Sequence, residues 1–543
     1  MRWADLDVRF VRPIRWIVAL YGNELVPFTF AEVTSGRITR GHRFLGAEAV
    51  TVDNATDYFD KLKANFVMVD PNERCQVITK QIKELAVAQG GTAAIDQSLL
   101  EEVVYLVEYP TALCGRFEEK YLTLPPEALI TPMREHQRYF PVFAANGKLL
   151  PVFISVRNGG AEHLEIVQHG NERVLRARLA DAEFFFEEDK KIPLVSQVEK
   201  LKTIVYQEGL GTLFDKTQRI KKLACFIGEQ AAITVDQSVL SRACELAKAD
   251  LVTGMVCEFT ELQGIMGKAY ALLQGESEAV AEAIFEHYQP RFAGDILPQT
   301  AAGRLVSIAD KLDNIVATFS RGLIPTGSQD PYALRRQALG IVNIIIDGHL
   351  TLSMATLIDQ AIDLLKLPAE QNRLELRQNV TNFFALRLKN VLTENEVRYD
   401  LIDAVLAIGS DDCYAVYLRA QALAKFVAEA SAPALIQALV RVNNLAKNAI
   451  TDKIMPELFV DPAEQLLYQT FLTVSKPLEQ LVGQQDFTAI LTALDELRQP
   501  IDEFFTAVMV MVEDQAVRNN RLALLQEISY LPRLVADFNK ITL

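Results

Sequence analysis

From about residue 350 to residue 543, the chain repeats one pattern: an apolar segment with helical periodicity, then a short polar break. Prolines are few there, and the alternation of apolar and polar residues that marks a half-buried strand is scarce. Helices of this kind bury their apolar stripes against one another. The pattern therefore predicts an all-α bundle, in which residues 487–512 form one continuous helix.

Residues 195–346 are also mainly helical, with loops marked by proline and glycine. Their acidic and histidine side chains occur in a defined order: Asp250 or Glu261 follows a first helix, His287 ends a second, and Asp310 lies in a third. Burying such groups is costly unless they are paired or bound to metal. The layout is similar to the core of HD-type phosphohydrolases, helical proteins in which histidine and aspartate side chains hold a divalent metal.

The metal ligands of an HD-type site are incomplete in this sequence. Ala249 or Thr260 stands where the His-Asp pair would supply its histidine, and His287 is the only histidine between His169 and His349. A catalytic metal site usually keeps at least three protein ligands. We therefore predict a degenerate HD-like domain with no metal site, and we keep an active metal-dependent phosphohydrolase as the alternative.

Residues 210–230 carry cations between apolar residues at helical spacing. Lys216, Arg219, Lys221 and Lys222 are predicted to form the basic outer face of an amphipathic helix. Such a face either attracts an RNA backbone or only keeps the protein surface hydrated.

Residues 1–190 read as a mixed α and β region, because short β-branched and aromatic segments alternate with turns and with helical segments. Two groups of arginines are candidate nucleic-acid contacts, since arginine binds phosphate through paired hydrogen bonds and aromatic rings stack on unpaired bases. A solvated loop and an aromatic core are the competing interpretations. The candidates are Arg37, Arg40 and Arg43 in SGRITRGHRF, and Arg134 and Arg138 in TPMREHQRYFPVF.

The overall composition limits the class of protein. The chain has 55 Lys and Arg against 70 Asp and Glu, a formal net charge of −15, so any nucleic-acid contact depends on a local basic surface. The six cysteines show no CxxC spacing, and no apolar run has the length of a bilayer span. No glycine-rich phosphate-binding motif occurs. We expect a cytoplasmic protein that binds no ATP, membrane or DNA itself.

Several motifs make the comparison with a known family specific. The segments ADLVTGMVCEFTELQGIMG, EHYQPRFAGDILP, ADKLDNI and PTGSQDPYALRRQALGIV resemble the β subunit of bacterial heterotetrameric glycyl-tRNA synthetase, a family with a degenerate HD-like domain in mid-chain. Further matches, among them VRPIRWIVAL, GHRFLG and YQEGLGTLFDKTQRI, extend the resemblance over essentially the whole chain. Members of the family begin with a further segment, so the resemblance implies a truncated chain or an alternative start.

The resemblance implies a role within a larger enzyme. In the family, an α2β2 complex joins glycine to tRNA(Gly) at the expense of ATP, with Mg²⁺, and the adenylation site lies on the separate α subunit. This chain is therefore expected to bind and position tRNA, to dock the α subunit, to hold no catalytic residue and to be inactive alone. A free-standing RNA-binding scaffold is the second alternative.

The C-terminal region, residues 350–543, contains two segments that resemble the DALR-like anticodon-binding domain of arginyl-type synthetases: RVNNLAKNA and VMVMVEDQAVRNNRLALL. The resemblance implies tRNA contacts at their polar residues, while asparagine and arginine serve equally in helix packing. Residues 1–190 are expected, by analogy only, to contact the acceptor end of the tRNA. The implied anticodon-side contacts are Arg441, Asn443, Asn444, Arg518 and Arg521.

Overall fold

The computed structural model describes residues 2–3, 5–327, 329–367 and 372–543. The chain divides into two compact units: an N-terminal unit, Met1–Ile192 with Leu251–Met266, and a helical unit, Pro193–Asp250 with Gly267–Leu543. The predicted fold class, α+β and predominantly helical, is confirmed. Among the described residues no single helix is both long and apolar enough to cross a membrane. One pair of helices, bent by 115°, meets that length and composition only jointly.

The N-terminal unit contains small sheets and six α-helices within the described residues. Its strands are β1 (Ile17–Val18), β2 (Leu20–Tyr21), β3 (Glu24–Leu25), β4 (Thr29–Phe30), β5 (Val33–Gly36), β6 (Ile38–Thr39), β7 (Val50–Thr51), β8 (Thr92–Ala93), β9 (Pro110–Arg116), β10 (Phe140–Phe143) and β11 (Leu149–Asn158). Its helices are α1 (Tyr58–Ala64), α2 (Pro71–Ala88), α3 (Gln97–Leu106), α4 (Pro126–Thr131), α5 (Leu164–Asp189) and α9 (Gly254–Glu258).

An antiparallel sheet in the order β8-β10-β11-β9 forms the core of this unit. In register, Ile154 of β11 pairs with Phe140 of β10 and with Cys114 of β9. Apolar residues of α2 and α3, such as Ile78 and Val103, pack in the same buried cluster as Phe140 and Ile154. The β-branched and aromatic segments of the sequence therefore meet one face of two amphipathic helices, as their periodicity predicts.

The helical unit is built from α6–α8 and α10–α22. Its helices are α6 (Leu194–Lys200), α7 (Leu213–Gln230), α8 (Gln237–Leu246), α10 (Ile265–Leu273, from residue 267 onward), α11 (Glu278–Glu286), α12 (Ala301–Ser320), α13 (Leu334–Asp347), α14 (Met354–Leu364), α15 (Arg373–Glu394), α16 (Tyr399–Leu406), α17 (Cys413–Val427), α18 (Ala432–Ala446), α19 (Pro462–Gly483), α20 (Phe487–Asp495), α21 (Arg498–Ala507) and α22 (Gln515–Tyr530).

Helix α12 is the centre of the helical unit, because it packs against α7, α8, α11, α13, α14 and α15. Almost every residue along it is buried, polar ones included. A helix surrounded on all sides has no solvent face on which to place charge, so its polar side chains need partners from neighbouring helices. The Thr300 hydroxyl caps its first turn by accepting from the N–H of Gly303 at 3.0 Å.

The C-terminal bundle differs from the prediction at one helix. Residues 487–512 form two helices, α20 and α21, and the chain leaves the helical conformation after Ala507. Val508 is extended; it and Val510 are buried, whereas Met509 and Met511 are exposed. Alternation between inside and outside is the period of extended chain. The VMVMV sequence carries that signal, and the prediction of one continuous helix is wrong.

Candidate functional site

A cluster of charged side chains is buried on helix α12. Asp310 and Asp313 lie three residues apart and therefore share one face of the helix. Lys216 Nζ lies 2.8 Å from Asp310 Oδ1 and 3.1 Å from Asp313 Oδ2. Arg219 Nε donates to Asp313 Oδ1 at 2.6 Å. Lys248 Nζ donates to Asp310 Oδ2 at 2.8 Å. Both carboxylates are thus balanced by buried cations.

Helix α7 supplies two of these cations, in contrast to its predicted basic outer face. Lys216 is 3% exposed and Arg219 is 8% exposed, so the prediction is wrong for both. Of the four predicted cations, Lys222 is exposed and Lys221 is half-buried. The carboxylate of Asp313 lies 94 residues beyond Arg219, and helical periodicity within one segment cannot reveal so distant a partner.

Burial and charge together set the pKa values of the cluster. Burial alone would raise the pKa of Asp310, but Lys216 and Lys248 hold it well below its usual value. Burial lowers the pKa of Lys248, whereas Asp310 and Asp313 raise that of Lys216 in spite of its burial. Asp310 and Lys216 therefore remain charged throughout the neutral pH range.

Two further residues of the predicted HD-like layout, His287 and Asp250, lie in the helical unit and have internal partners. His287 Nδ1 lies 2.6 Å from the carbonyl oxygen of Ile284. Burial and the nearby charge of Lys248 lower the pKa of His287 well below its usual value, so the imidazole is neutral. The Asp250 carboxylate accepts from the backbone N–H of Gly267 at 3.1 Å. A Cβ at Gly267 would lie 3.0 Å from this carboxylate, so glycine permits the close approach.

The fourth residue of the predicted layout, Glu261, belongs to the N-terminal unit, where its Oε2 lies 3.9 Å from His136 Nε2. Within the described ranges, no group of three or more His, Cys, Asp and Glu side chains is arranged to hold a metal ion. At Asp310, the ammonium groups of Lys216 and Lys248 take the place of a divalent cation. Nothing in this set of donors favours a metal-dependent phosphohydrolase.

A groove of about 670 Å³ opens on the C-terminal bundle beside helix α18. Arg441 and Asn444 are exposed and line it. The guanidinium carbon of Arg441 lies 4.0 Å from the ring centroid of Phe505 on α21. Asn444 Oδ1 accepts from Lys447 Nζ at 3.0 Å, and Asn443 is half-buried on the same helix. The groove thus combines an arginine that lies over an aromatic ring with a carboxamide, and Lys447, bonded to that carboxamide, adds a second cation beside it.

The two arginines predicted on helix α22 have internal partners. Arg521 is 7% exposed, and its Nε donates to Glu464 Oε1 at 2.7 Å. Its Nη1 donates to the carbonyl oxygen of Met509 at 2.9 Å. Arg518 is half-buried, with Nη1 3.5 Å from the carbonyl oxygen of Val512. Arg521 therefore ties α19 and the extended segment before α22 to α22 itself.

Two polar residues that support this region were missed in the sequence. Glu464 forms a capping box with Asp461, and its D-x-x-E spacing is a recognisable signal. Asn520 Oδ1 accepts from the N–H of Met455 at 2.7 Å, and its Nδ2 donates to the carbonyl oxygen of Met455 at 3.0 Å. No local pattern indicates the partner of Asn520, which lies 65 residues away.

In the N-terminal unit, the three arginines of the SGRITRGHRF segment differ in what they contact. Arg37 donates to two backbone carbonyl oxygens, at 2.8 and 2.5 Å, so its guanidinium is engaged in local structure. Arg40 and Arg43 are exposed. The guanidinium carbon of Arg40 lies 5.1 Å from the ring centroid of Trp16, and that of Arg43 lies 5.6 Å from Phe44. Arg40 Nη1 also lies 3.7 Å from Glu48 Oε1, in an ion pair exposed on both sides. Arg40 and Arg43 thus combine accessible charge with exposed rings.

The arginines of the TPMREHQRYFPVF segment are paired with acids. Arg134 Nε donates to Glu135 Oε1 at 2.8 Å, and Arg138 Nε donates to Glu102 Oε1 at 2.6 Å. These ion pairs are partly exposed, so a phosphate can compete for either guanidinium only by displacing a carboxylate.

Comparison with known sequences gives the family. Residues 1–407 match the family described as glycyl-tRNA synthetase beta subunit. Residues 435–531, which include Arg441 and most of helix α18, match the DALR anticodon binding domain. The chain is 49% identical over 545 residues to the glycine–tRNA ligase beta subunit of Desulforamulus reducens, and 47% identical over 541 residues to that of Clostridioides difficile. These alignments cover 100% of this chain and 78% of each relative. The chain therefore belongs to the β-subunit family of glycine–tRNA ligases, which are aminoacyl-tRNA synthetases.

Proposed function

We propose that this chain binds and positions tRNA(Gly) within a cytoplasmic α2β2 glycine–tRNA ligase and docks the α subunit. The α subunit holds glycine, ATP and Mg²⁺ and forms the aminoacyl-adenylate, and this chain contributes no catalytic residue and binds no cofactor. The observation that carries the proposal is the Arg441 groove, which lies on a helix inside the match to the DALR anticodon binding domain.

The chemistry of the groove suits an unpaired segment of RNA. One face of the Arg441 guanidinium lies on Phe505, so its N–H groups and its other face are available to a phosphate or a base. Asn444 offers a carboxamide of the kind that reads base edges, and Lys447 adds a second positive charge. An anticodon loop presents such splayed bases and phosphates. Asn443 and Arg518, both half-buried, are secondary candidates in the same domain.

In the N-terminal unit, Arg40 and Arg43 are the proposed contacts to the acceptor side of the tRNA, supported by their exposure and their adjacent aromatic rings. The other arginine candidates are engaged within the protein, and the proposal assigns them to holding the surrounding surface. They are Arg37, Arg134, Arg138 and Arg521.

Replacing Arg441 with alanine should raise the KM for tRNA(Gly) about tenfold, because one charge-assisted contact worth about 1.4 kcal/mol is lost. The kcat should stay within about twofold, because the substitution removes no group near the adenylation site. Steady-state glycylation by the complex of both subunits measures both constants. Lys425→Ala, which removes an exposed cation from helix α17, is the matched control and should leave KM unchanged. An unchanged KM in Arg441→Ala would remove the groove from the tRNA interface.

A further inference from the structure

A second cavity, of about 590 Å³, lies in the helical unit next to the buried charge cluster. Three distant segments build its wall: Tyr206 and Gln207 before helix α7, Asn314 on α12, and Tyr332 with Gln337 at the start of α13. These residues come from the motifs YQEGLGTLFDK, ADKLDNI and PTGSQDPYALRRQALG, none of which the proposed tRNA contacts use. The volume is typical of a small-molecule site.

Hydrogen bonds between side chains fix the polar groups of this wall. The Tyr206 hydroxyl and Lys216 Nζ both donate to Asn314 Oδ1, each at 2.9 Å. Asn314 Nδ2 donates to Gln337 Oε1 at 2.9 Å, and Gln337 Nε2 donates to the carbonyl oxygen of Tyr332 at 3.0 Å. Burial raises the pKa of Tyr206 to about 12, so its hydroxyl keeps its proton. The cavity is therefore organised before any ligand arrives, which lowers the entropic cost of binding.

Three residues with distinct chemistry line the cavity near solvent: Tyr332, Arg321 and the exposed acid Glu208. Tyr332 is 48% exposed, so part of this residue is open to solvent. Arg321, at the end of helix α12, is exposed and forms no ion pair with any residue that the structure describes. Its guanidinium lies above Gly209, where a Cβ would come within 3.3 Å of Nη1. A partly exposed tyrosine and a guanidinium with no ion-pair partner among the described residues thus line the cavity, together with the carboxylate of Glu208.

One acceptor in the wall is unused. Gln207 Nε2 donates to Thr318 Oγ1 at 3.2 Å, but Gln207 Oε1 is buried and accepts no hydrogen bond from the described residues. A buried acceptor without a donor is unfavourable, and a ligand N–H group that reaches it would remove this cost.

We propose that this cavity binds one unpaired nucleotide, with its base against Tyr332 and its phosphate on Arg321. Any of the bases can stack on a tyrosine ring. An arginine guanidinium can donate two parallel hydrogen bonds to a phosphate. Gln207 and Gln337 also line the cavity, so the edge of the bound base would lie beside their carboxamides. The nucleotide comes either from solution or from a single-stranded part of bound tRNA, and the two sources share this chemistry.

Titration calorimetry of the full chain with 5′-AMP and with adenosine tests the site without tRNA or the α subunit, so its result is separate from that for the Arg441 groove. We expect 5′-AMP to bind with a Kd below about 1 mM. Tyr332→Ala should weaken this binding about tenfold, whereas Tyr332→Phe, which keeps the ring, should leave it within about twofold. Arg321→Ala should weaken 5′-AMP about tenfold but leave adenosine unchanged, because adenosine has no phosphate.

Arg336→Ala is the matched control, because Arg336 is an exposed arginine on helix α13 that does not line the cavity. Its affinity for 5′-AMP should equal that of the wild type. Loss of tRNA(Gly) affinity in Tyr332→Ala would identify tRNA as the source of the nucleotide, and unchanged tRNA affinity would identify a free nucleotide. The proposal is overturned if 5′-AMP does not bind, or if the folded Tyr332→Ala and Arg321→Ala variants bind it as tightly as the wild type.

Discussion

Replacing Asp310 with asparagine is expected to lower the free energy of unfolding by about 3–5 kcal/mol, because two buried lysines lose their shared carboxylate. Lys216 Nζ and Lys248 Nζ each lie 2.8 Å from Asp310, and both side chains are at most 6% exposed. Lys216 would retain Asp313, whereas Lys248 has no second ion-pair partner in the described structure. Chemical denaturation followed by circular dichroism measures the change.

The control for this variant is an ion pair of the same type near the surface. Asp347 pairs with Arg304 at 2.7 Å, with side-chain exposures of 43% and 21%. Asp347→Asn should therefore cost no more than about 1 kcal/mol. An equal, small loss for both variants would contradict the role assigned to the lysines. A wild-type melting temperature that falls when divalent metal is chelated would instead favour a metal at Asp310.

The pH dependence of this stabilisation follows from the direction of the pKa shift. The pKa of Asp310 is lower in the folded chain than in the unfolded chain, in spite of its burial, because Lys216 and Lys248 stabilise its charge. The contribution of Asp310 is therefore complete above the unfolded pKa of about 4 and is lost as the pH falls through the folded value.

Replacing Arg521 with methionine should destabilise the C-terminal bundle by a similar amount, about 3–5 kcal/mol, since Glu464 would remain buried without its cation. Glu464 is 0% exposed and lies 2.7 Å from Arg521 Nε. The loss of the Arg521 bond to the Met509 carbonyl should also loosen the extended segment after α21. Chemical denaturation measures the stability, and glycylation kinetics measure the consequence for tRNA.

A double variant separates a lost ion pair from lost packing. In Arg521→Met with Glu464→Gln, no charge is left buried, and glutamine keeps an acceptor for the N–H groups of Val460 and Asp461. This variant should recover at least about half of the lost stability. If it is as unstable as the single variant, the ion pair is not the cause.

Arg521→Met should also impair tRNA use through instability, unlike Arg441→Ala, which should leave stability unchanged.

The sequence was sufficient to predict the helical architecture, because the amphipathic periodicity of a helix depends only on residues close together in the chain. The all-α C-terminal bundle and the mixed N-terminal unit follow directly from such patterns. The failures come from partners that are distant in sequence. Lys216 and Arg219 have the spacing of a solvated helix face, and only the packing of α7 on α12 shows that Asp310 and Asp313 neutralise them.

The candidate nucleic-acid contacts show the same limit. Arg441 and Arg521 both lie in segments that resemble the anticodon-binding domain. Arg441 is exposed and lies over Phe505, whereas Arg521 is buried against Glu464. Residue type alone cannot distinguish a ligand contact from a packing contact, because guanidinium groups serve both. The alternation in VMVMV before α22 indicates extended chain. The residues on both sides have helical periodicity, and the prediction of one continuous helix followed that periodicity.

The most direct test of the central claim is glycylation of tRNA(Gly) with radiolabelled glycine and ATP by this chain alone, by its cognate α subunit alone, and by the two mixed. We expect activity only in the mixture, with loss of activity when the anticodon of the tRNA is substituted. Glycylation by this chain alone would contradict the assignment of the adenylation site to the α subunit. A mixture that assembles and binds tRNA(Gly) but is insensitive to the anticodon would contradict the role assigned to the C-terminal bundle.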